Sequence, residues 1–381
     1  ARATAAAGGA VALVIDGTAL THVVERGAPG ELVVHPAGAV LLEIAELASS
    51  LVVCRSAPLQ KALVVELVRR FNPAAISLAV GDGANDVAMI RAASVGVGVA
   101  GQEGTQAVQA ADFAVQRFRD LDRLLLWHGW LAYMRLSQAV TYFFFKNMAF
   151  TFPQWCFGFV CAWSGQTVYN DYYITLYNIT FTLLPVFFFA IMEQPAPEHR
   201  VQRFPEVYRS AQANRHFTPA VILYWFVLGL AYAVLFFAVP FYAGSTVSVR
   251  DPAGLWTLSV SSFSVVVLAA TVQIFLITTH WSLPVAVAYG LSIVLYFAGV
   301  LIYNEITSPI QGVVEEVFGS PGFWAILVWC IGVVVMVHFG VYAAQEQLFP
   351  EWQEPAVLLA RMSESEFEHE ADRTDVDGVA G

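Results

Sequence analysis

The sequence predicts an α/β domain with a parallel sheet, followed by a bundle of membrane-spanning helices. Short apolar runs alternate with helix-like patterns over residues 1–120, and long apolar segments fill residues 138–343. Only 13% of the 381 residues are charged, whereas an ordinary soluble protein has about 25%. The apolar excess lies in the second region, so we expect a soluble domain joined to a membrane domain.

The N-terminal region is predicted to fold as βαβ units. Apolar runs suited to buried strands cover residues 11–15, 50–54, 75–80 and 95–99, and helix-like patterns lie near 37–48, 58–70 and 85–93. This alternation is typical of a parallel sheet. Because ligands bind outside the carboxyl ends of the strands in such sheets, the residues after each strand are candidates for a site.

The helix after the second apolar run begins with 58-PLQK-61. Pro58 suits the first turn of a helix. Lys61 would then stand near the helix N-terminus, where backbone N–H groups attract anions. Taken alone, the lysine also fits an ordinary protein surface, and that alternative stays open.

The third apolar run ends in 81-GDGAND-86. Asp82 and Asp86 are four residues apart where a turn enters a helix, so both carboxylates are able to face one site. With the amide of Asn85 they suit Mg2+, which takes a few oxygen ligands and adds water and phosphate. The alternative is an Asx-rich turn with a helix cap. Together with Lys61, the segment predicts a site for phosphate and magnesium at one edge of the sheet.

Six apolar segments are long enough to span a bilayer, which takes about 20 residues. They run roughly over 138–163, 172–192, 219–241, 255–279, 281–303 and 323–343. The link 193–218 carries four arginines, whereas the links 164–171, 242–254 and 304–322 together carry only Arg250. By the positive-inside rule, link 193–218 is cytoplasmic, and the soluble domain and the C-terminus lie on that side too.

Lys146 is the one full charge clearly within these segments, and none of the six contains Asp or Glu. A charge at bilayer depth costs at least about 2.5–3.5 kcal/mol on insertion scales. Either the lysine stem carries the charge to cytoplasmic water, or a polar groove meets an anionic or zwitterionic group. The polar residues available for such a groove are Asn147, Thr151, Gln154, Asn178, Thr180 and Thr182. The residues alone leave both interpretations open. The lack of carboxylates argues against a cation pathway.

Residues 121–137 are predicted to be a stalk, and residues 344–381 a disordered acidic tail. From Glu351 onward the chain has nine acidic residues against two arginines, a composition that favours disorder over a folded site. The chain begins with Ala1 rather than methionine, and we expect that it starts inside a longer protein. We expect no nucleic-acid partner.

Several motifs together resemble the C-terminal part of phospholipid-translocating P-type ATPases, the lipid flippases. They are 51-LVVCRSAPLQKALVVELV-68, 79-AVGDGANDVAMI-90, 95-VGVGVAGQEGTQAVQAADFA-114, 143-FFFKN-147, 164-SGQ-166 and 176-LYNITFTLLPVF-187. GDGAND alone indicates only P-type ATPases, whereas FFFKN followed by SGQ and LYNITFTLLP is specific to the lipid-moving subfamily. The resemblance runs almost unbroken over residues 11–217, and the six apolar segments continue it.

The resemblance implies a fold for each region. Residues 1–120 would be part of a Rossmann-like phosphorylation domain of the haloacid dehalogenase type, and residues 138–343 would be spans five to ten of the family. Many phosphotransferases of that type have DxDGT after their first strand. Here the motif reads 14-VIDGT-18, with Val14 in the place of the nucleophile, so we assign no catalytic role to Asp16.

The resemblance also implies a mechanism and partners. ATP would phosphorylate an aspartate in a DKTGT motif, and the cycle would move an aminophospholipid-like lipid from the outer to the cytoplasmic leaflet. Residue by residue, it implies magnesium ligation by Asp82 with Asn85 and Asp86, phosphate contact by Lys61, and a head-group path with Lys146, Asn147 and Asn178. A two-span glycoprotein subunit and a Golgi, endosomal or plasma membrane are further expectations.

The chain departs from the family in what it lacks. DKTGT, an actuator motif and a nucleotide-binding domain do not occur in its 381 residues. We therefore expect the final part of such an enzyme, inactive as ATPase by itself. The alternatives are a truncated, non-catalytic membrane protein and the corresponding part of a cation-pumping P-type ATPase. The carboxylate-free apolar segments and the FFFKN motif count against the cation pump.

Overall fold

The computed structural model describes residues 12–27, 32–101, 105–244, 254–306, 311–348, 358–359, 362 and 366–368. The chain forms two compact units, Ala1–Leu124 and Leu125–Gly381. Residues 344–381 were predicted to be a disordered tail. Most of this tail lies outside the described residues, since only 358–359, 362 and 366–368 are described after position 348.

The described part of the first unit contains seven strands. They are β1 (Ala12–Asp16), β2 (Val24–Arg26), β3 (Leu32–Val34), β4 (Ser50–Cys54), β5 (Leu78–Gly81), β6 (Val95–Val99) and β7 (Phe113–Val115). β1 pairs with β4, and β5, β6 and β7 pair in that order, all in parallel. The predicted parallel pairing is confirmed, but the strands form two parallel sheets instead of one. β2 and β3 form an antiparallel pair that the sequence analysis did not predict.

Helices connect these strands. They are Gly17–Thr21, Pro36–Glu46, Pro58–Phe71, Val87–Ala92, Gln106–Ala110 and Asp120–Asp122, with a 3-10 turn at Ala84–Asp86. Leu63 and Leu67 of the third of these helices are buried against Leu20 and Val24. Their spacing of four residues places them on one helix face, which leaves the first turn of this helix, with Lys61, at the carboxyl end of the strands.

The second unit is helical in its described residues. A π-helical turn, Arg123–Gly129, leads into it. Its helices are Trp130–Val160, Asp171–Leu176, Leu183–Met192, Glu198–Arg203, Val207–Gln212, Pro219–Tyr242, Leu255–Ile277, Leu283–Ile306, Val313–Gly319 and Pro321–Leu348. A π-helical turn covers Tyr177–Phe181, and a 3-10 turn covers Arg215–Phe217. Among the described residues, five helices are long and apolar enough to cross a membrane. These are Asp171–Met192, Pro219–Tyr242, Leu255–Ile277, Leu283–Glu305 and Pro321–Leu348.

Trp130–Val160 has 31 residues but is not among those five, so a membrane domain of six spans remains a proposal. Leu255–Ile277 is the most buried of the five helices, since 78% of its most apolar stretch is buried. Its Phe263 stacks on Tyr173, with ring centroids 4.7 Å apart. This aromatic contact helps to hold the helix Asp171–Met192, which carries the polar groups described below.

Candidate functional site

Lys61 and Asp86 form an ion pair at the carboxyl end of β5. Lys61 Nζ donates a hydrogen bond to Asp86 Oδ1 at 2.7 Å, and the Asp86 side chain is only 13% exposed. Lys61 lies in the first turn of Pro58–Phe71, and Asp86 ends the 3-10 turn that follows β5. The structure thus brings together two of the predicted site residues, which are 25 positions apart.

Gly81 makes this arrangement possible. A Cβ atom at position 81 would lie 2.3 Å from the Cβ of Asp86, so any other residue would push the carboxylate away from Lys61. Asp82 is exposed and lines the same cavity as Lys61 and Asp86. Asn85 is exposed and is not part of that lining, so the structure does not bring the amide to the other predicted residues.

The cavity beside the ion pair has a volume of about 580 Å³. Its polar lining consists of Ser56, Lys61, Asp82 and Asp86. Leu51 and Val53 of β4 and Val80 of β5 contribute apolar lining, although these two strands are not hydrogen-bonded to each other. The cavity therefore lies between the two parallel sheets, with its charged groups where the strands end.

The carboxylates at this cavity could supply only part of the coordination shell of a magnesium ion. Asp82 and Asp86 offer hard oxygen donors, and magnesium is commonly held by one or two carboxylates together with phosphate oxygens and water. Within the described ranges, no group of three or more His, Cys, Asp or Glu side chains could hold a metal. The residues fit an ion that is shared with a phosphate group.

Asp16 has a structural contact in the described first unit. Its Oδ1 accepts from the Ala19 N–H at 2.7 Å and caps the helix Gly17–Thr21. Nearby, Gln60 donates to the Gly17 carbonyl at 2.7 Å, which fixes the start of the helix that carries Lys61.

Lys146 is enclosed within the second unit, with 2% of its surface exposed. Its Nζ donates to Asn178 Oδ1 at 2.7 Å and to Thr182 Oγ1 at 2.8 Å. The ring centroids of Phe143 and Tyr177 each lie 5.2 Å from the same nitrogen. Neutral oxygens and aromatic faces therefore solvate the ammonium, and the side chain does not reach the surface of the second unit.

The helix that faces Lys146 contains the π-helical turn Tyr177–Phe181. Thr182 closes this turn, because its N–H and its hydroxyl donate to the Tyr177 carbonyl at 3.1 Å and 2.7 Å. Since the hydroxyl proton is used in this way, the lone pairs of the Thr182 oxygen accept from Lys146. The Tyr177 hydroxyl donates to the Lys146 carbonyl at 2.9 Å, so the two helices are joined in both directions.

Pro185 explains why the helix is irregular here. A proline has no N–H to donate to the carbonyl four residues earlier, which is that of Phe181, and its ring crowds that position. The Phe181 carbonyl accepts a short hydrogen bond from the hydroxyl of Ser292 on the helix Leu283–Ile306 instead. Hydroxyl side chains commonly satisfy backbone groups that a proline frees in a membrane helix.

Two residues of the predicted groove make no hydrogen bond to Lys146. Asn147 donates to a carbonyl of its own helix at 3.0 Å. Gln154 donates to the Gln166 carbonyl at 3.1 Å and accepts from the Val168 N–H at 2.6 Å. Helical spacing placed Gln154 near the lysine face, but the backbone groups of the loop after the helix bind its amide.

Arg135, Glu193 and Thr279 form a polar junction that was not predicted from the sequence. Glu193 is 2% exposed. Its Oε1 accepts from the Thr279 N–H at 2.9 Å and from the Thr279 hydroxyl, and its backbone carbonyl accepts from Arg135 Nε at 2.6 Å. Burial raises the pKa of Glu193 above its ordinary value, and the hydrogen bonds from Thr279 oppose this. The available sequence signal for this junction was that Arg135 and Glu193 each lie just outside an apolar segment.

The chain matches known proteins over most of its length. A family model described as phospholipid-translocating P-type ATPase C-terminal matches residues 108–351. Phospholipid-transporting ATPase IH of Mus musculus is 39% identical over 301 residues, which are 78% of this chain and 25% of that protein. Phospholipid-transporting ATPase ID of Homo sapiens is 42% identical over 284 residues, 73% of this chain and 22% of that protein.

A plant protein extends the match further along the chain. Probable phospholipid-transporting ATPase 5 of Arabidopsis thaliana is 34% identical over 349 residues, which are 90% of this chain and 28% of that protein. The chain thus spans about a quarter of the length of the curated relatives it matches. It is a membrane protein that belongs to the family of phospholipid-translocating P-type ATPases.

Proposed function

We propose that this chain is the C-terminal part of an ATP-driven flippase that moves aminophospholipid-like lipids from the outer to the cytoplasmic leaflet. The observation that carries the proposal is the burial of the Lys146 ammonium among Asn178, Thr182 and aromatic rings. Neutral ligands leave its positive charge uncompensated. A lipid phosphate or carboxylate is a suitable partner for such a charge.

The position of Asn178 supports a role at a boundary. Its side-chain oxygen binds the enclosed Lys146, while the residue itself is exposed on the surface of the second unit. A head group that approached this surface would meet the amide first and the ammonium behind it. Asn147 is half-buried one residue along from Lys146, and we include it in the proposed path on the resemblance of FFFKN alone.

The Lys61–Asp86 pair supports aspartyl-phosphate chemistry in the complete protein. Lys61 would contact the phosphate, and Asp82 and Asp86, with Asn85 shaping the loop, would hold a magnesium ion beside it. When bound, magnesium would neutralise the charge of the phosphoryl group. The nucleophilic aspartate and the ATP-binding groups are not found in these 381 residues, and the cavity between the two sheets is where a segment bearing the nucleophile would have to lie.

A cation pump fits the same soluble unit but not the apolar segments, because none of the six contains a carboxylate. A non-catalytic membrane protein is the remaining alternative. We further propose six spans, a cytoplasmic soluble unit and C-terminus, and a two-span accessory subunit. For the membrane of residence we propose the Golgi, an endosome or the plasma membrane.

The size of the native polypeptide tests the proposal. The 301 matched residues are 25% of the mouse relative, so the native protein should be about three times larger than the 41.6 kDa of this chain. We expect an antibody against residues 361–373 to detect such a band in native membranes. The immunoprecipitated material should show vanadate-sensitive ATPase activity that aminophospholipids stimulate, whereas this chain alone should show none. Lipid-independent or cation-stimulated activity would contradict a flippase.

A further inference from the structure

The Arg135–Glu193–Thr279 junction joins the same two helices that Lys146 joins. Arg135 and Lys146 lie on Trp130–Val160, and Glu193 ends the helix that carries Thr182. Arg135 precedes Lys146 by eleven residues, and Glu193 follows Thr182 by eleven residues. The two contacts therefore share one antiparallel register, about 16 Å apart along both helices.

The helix that carries Asn178, Thr182 and Glu193 is irregular at the Lys146 contact. The π-helical turn ends at Phe181, and Pro185 follows it. If the segment Leu183–Met192 slipped by one residue, the turn could close as an α-helix. One residue corresponds to a rotation of about 100°, which would turn Thr182, where this segment begins, out of its present position against Lys146.

The junction is built to resist such a slip. The Arg135 guanidinium binds the carbonyl of Glu193, where the helix ends. The Glu193 carboxylate binds both the N–H and the hydroxyl of Thr279, in the loop after Leu255–Ile277. Within the described residues its other oxygen, Oε2, is enclosed without a hydrogen-bond partner.

A carboxylate is an unfavourable residue for a simple helix end. The helix dipole disfavours negative charge at a C-terminus, and burial removes the carboxylate from water. The hydrogen bonds from the N–H and the hydroxyl of Thr279 to the carboxylate offset these costs only in a single geometry. Glu193 therefore costs stability but fixes the position of the helix end relative to Thr279.

We propose that Arg135, Glu193 and Thr279 are positioning residues that lock the register of the two helices and so hold Asn178 and Thr182 against Lys146. The proposal rests on the proposed function only in treating Lys146 as part of a lipid path. The contacts of Arg135, Glu193 and Thr279 lie within this chain and require neither lipid nor ATP.

The chain is well suited to a direct test, because Lys61 and Lys146 are its only lysines. The full chain in lipid nanodiscs is treated with acetic anhydride, and mass spectrometry gives the acetylation rate of each lysine. Lys61 serves as the internal reference from the other unit. Asn178→Ala, which removes a direct ligand of Lys146, is the positive control.

The informative variant is Thr279→Val, which keeps the shape of the side chain and removes the hydroxyl bound to Glu193. We expect the Lys146 rate to rise about fivefold, as one lost hydrogen bond typically shifts an opening equilibrium, with the Lys61 rate unchanged. Thr279→Ser should restore the wild-type rate. Thr278→Val is the matched control, because the Thr278 hydroxyl bonds to Tyr289 and Ile274 and not to Glu193.

A Lys146 rate that stays within twofold of wild type in Thr279→Val, while Asn178→Ala raises it, would overturn the proposal. An equal rise in Thr278→Val would also overturn it, because general loosening of the loop would explain the result. Amide exchange of the wild-type chain gives a check without a variant. The Thr279 and Thr182 amides should open together, and independent exchange rates would count against a lock.

Both outcomes are separable from the proposed function. If the acetylation test contradicts the role of the junction, lipid-stimulated ATPase activity of the native protein would still support a flippase. If that activity is absent, the acetylation rates still decide whether the junction controls Lys146.

Discussion

Pro185 and Ser292 act on the same backbone group from two helices. Pro185 cannot donate to the Phe181 carbonyl, and the Ser292 hydroxyl donates to it instead. An unsatisfied carbonyl in an apolar environment is costly, so the two residues compensate each other. The π-helical turn that presents Asn178 and Thr182 to Lys146 depends on this compensation.

Ser292→Ala should lower the stability of the second unit by about 0.6 kcal/mol, the average measured for hydrogen bonds between membrane helices, and by about 1.7 kcal/mol at most. In a Pro185→Ala background the same change should cost less, because the backbone at position 185 would then supply an N–H to the Phe181 carbonyl. A double-mutant cycle by denaturant unfolding in detergent measures the difference. Equal costs in both backgrounds would show that the two residues are not coupled.

Thr182→Val should separate the role of Lys146 in lipid handling from its role in folding. The change removes an acceptor of the ammonium while keeping the shape of the side chain. In the complete native protein we expect lipid-stimulated ATPase activity to fall at least about fivefold, the typical effect of one hydrogen bond, with basal activity retained. Lys146→Met should have a larger effect of the same kind.

Thr175→Val is the matched control for this prediction. Thr175 lies on the same helix, and its hydroxyl bonds to the Asp171 carbonyl within that helix. It should leave the lipid stimulation unchanged. If Thr182→Val also leaves it unchanged, Lys146 is a structural lysine and the head-group path lies elsewhere.

Loss of Lys61 should destabilise the edge of the sheet at β5. Lys61→Met leaves Asp86 largely buried without its cation, and truncating one partner of a charged hydrogen bond costs about 1–3 kcal/mol. Hydrogen exchange of peptides that cover residues 78–92 in the full chain should therefore accelerate. Adding Asp86→Asn should recover part of the protection, because the unpaired charge is then removed. No recovery would mean that Asp86 is stabilised by other groups.

The sequence was most informative where one local signal sufficed. Strands β4 and β6 were predicted with the bounds found in the structure, since short apolar runs between turns have few other solutions. Lys61 and Asp86 were expected to meet because each follows an apolar strand, although the single sheet on which that expectation was based is two sheets in the structure. Burial of Lys146 beside Asn178 was one of the two interpretations that the residues left open, and the flippase resemblance favoured it.

Contacts that depend on a loop or on a distant helix were not predictable in this way. Gln154 binds loop backbone groups that have no side-chain signature. Ser292 serves a carbonyl 111 positions away, and serine is common in membrane helices for many reasons. The β2–β3 hairpin has only three residues per strand, too few to show an alternating pattern.

Glu193 should make the stability of the second unit depend on pH. Burial raises the pKa of this carboxyl, so the folded state binds a proton more readily than the unfolded state. Between the unfolded pKa of about 4.3 and the raised folded pKa, stability must then fall as pH rises. Arg135, His280 and Tyr289 are the ionisable neighbours that act on the same site.

Glu193→Gln isolates this contribution, because glutamine keeps the acceptor for Thr279 and does not titrate. We expect the melting temperature of wild type minus that of Glu193→Gln to increase as pH is lowered from 8 to 5. Titration of groups that do not interact with Glu193 affects both proteins and cancels in the difference. A difference that is constant over this range would mean that Glu193 stays ionised in the folded state, and that Arg135 and Thr279 compensate fully for its burial.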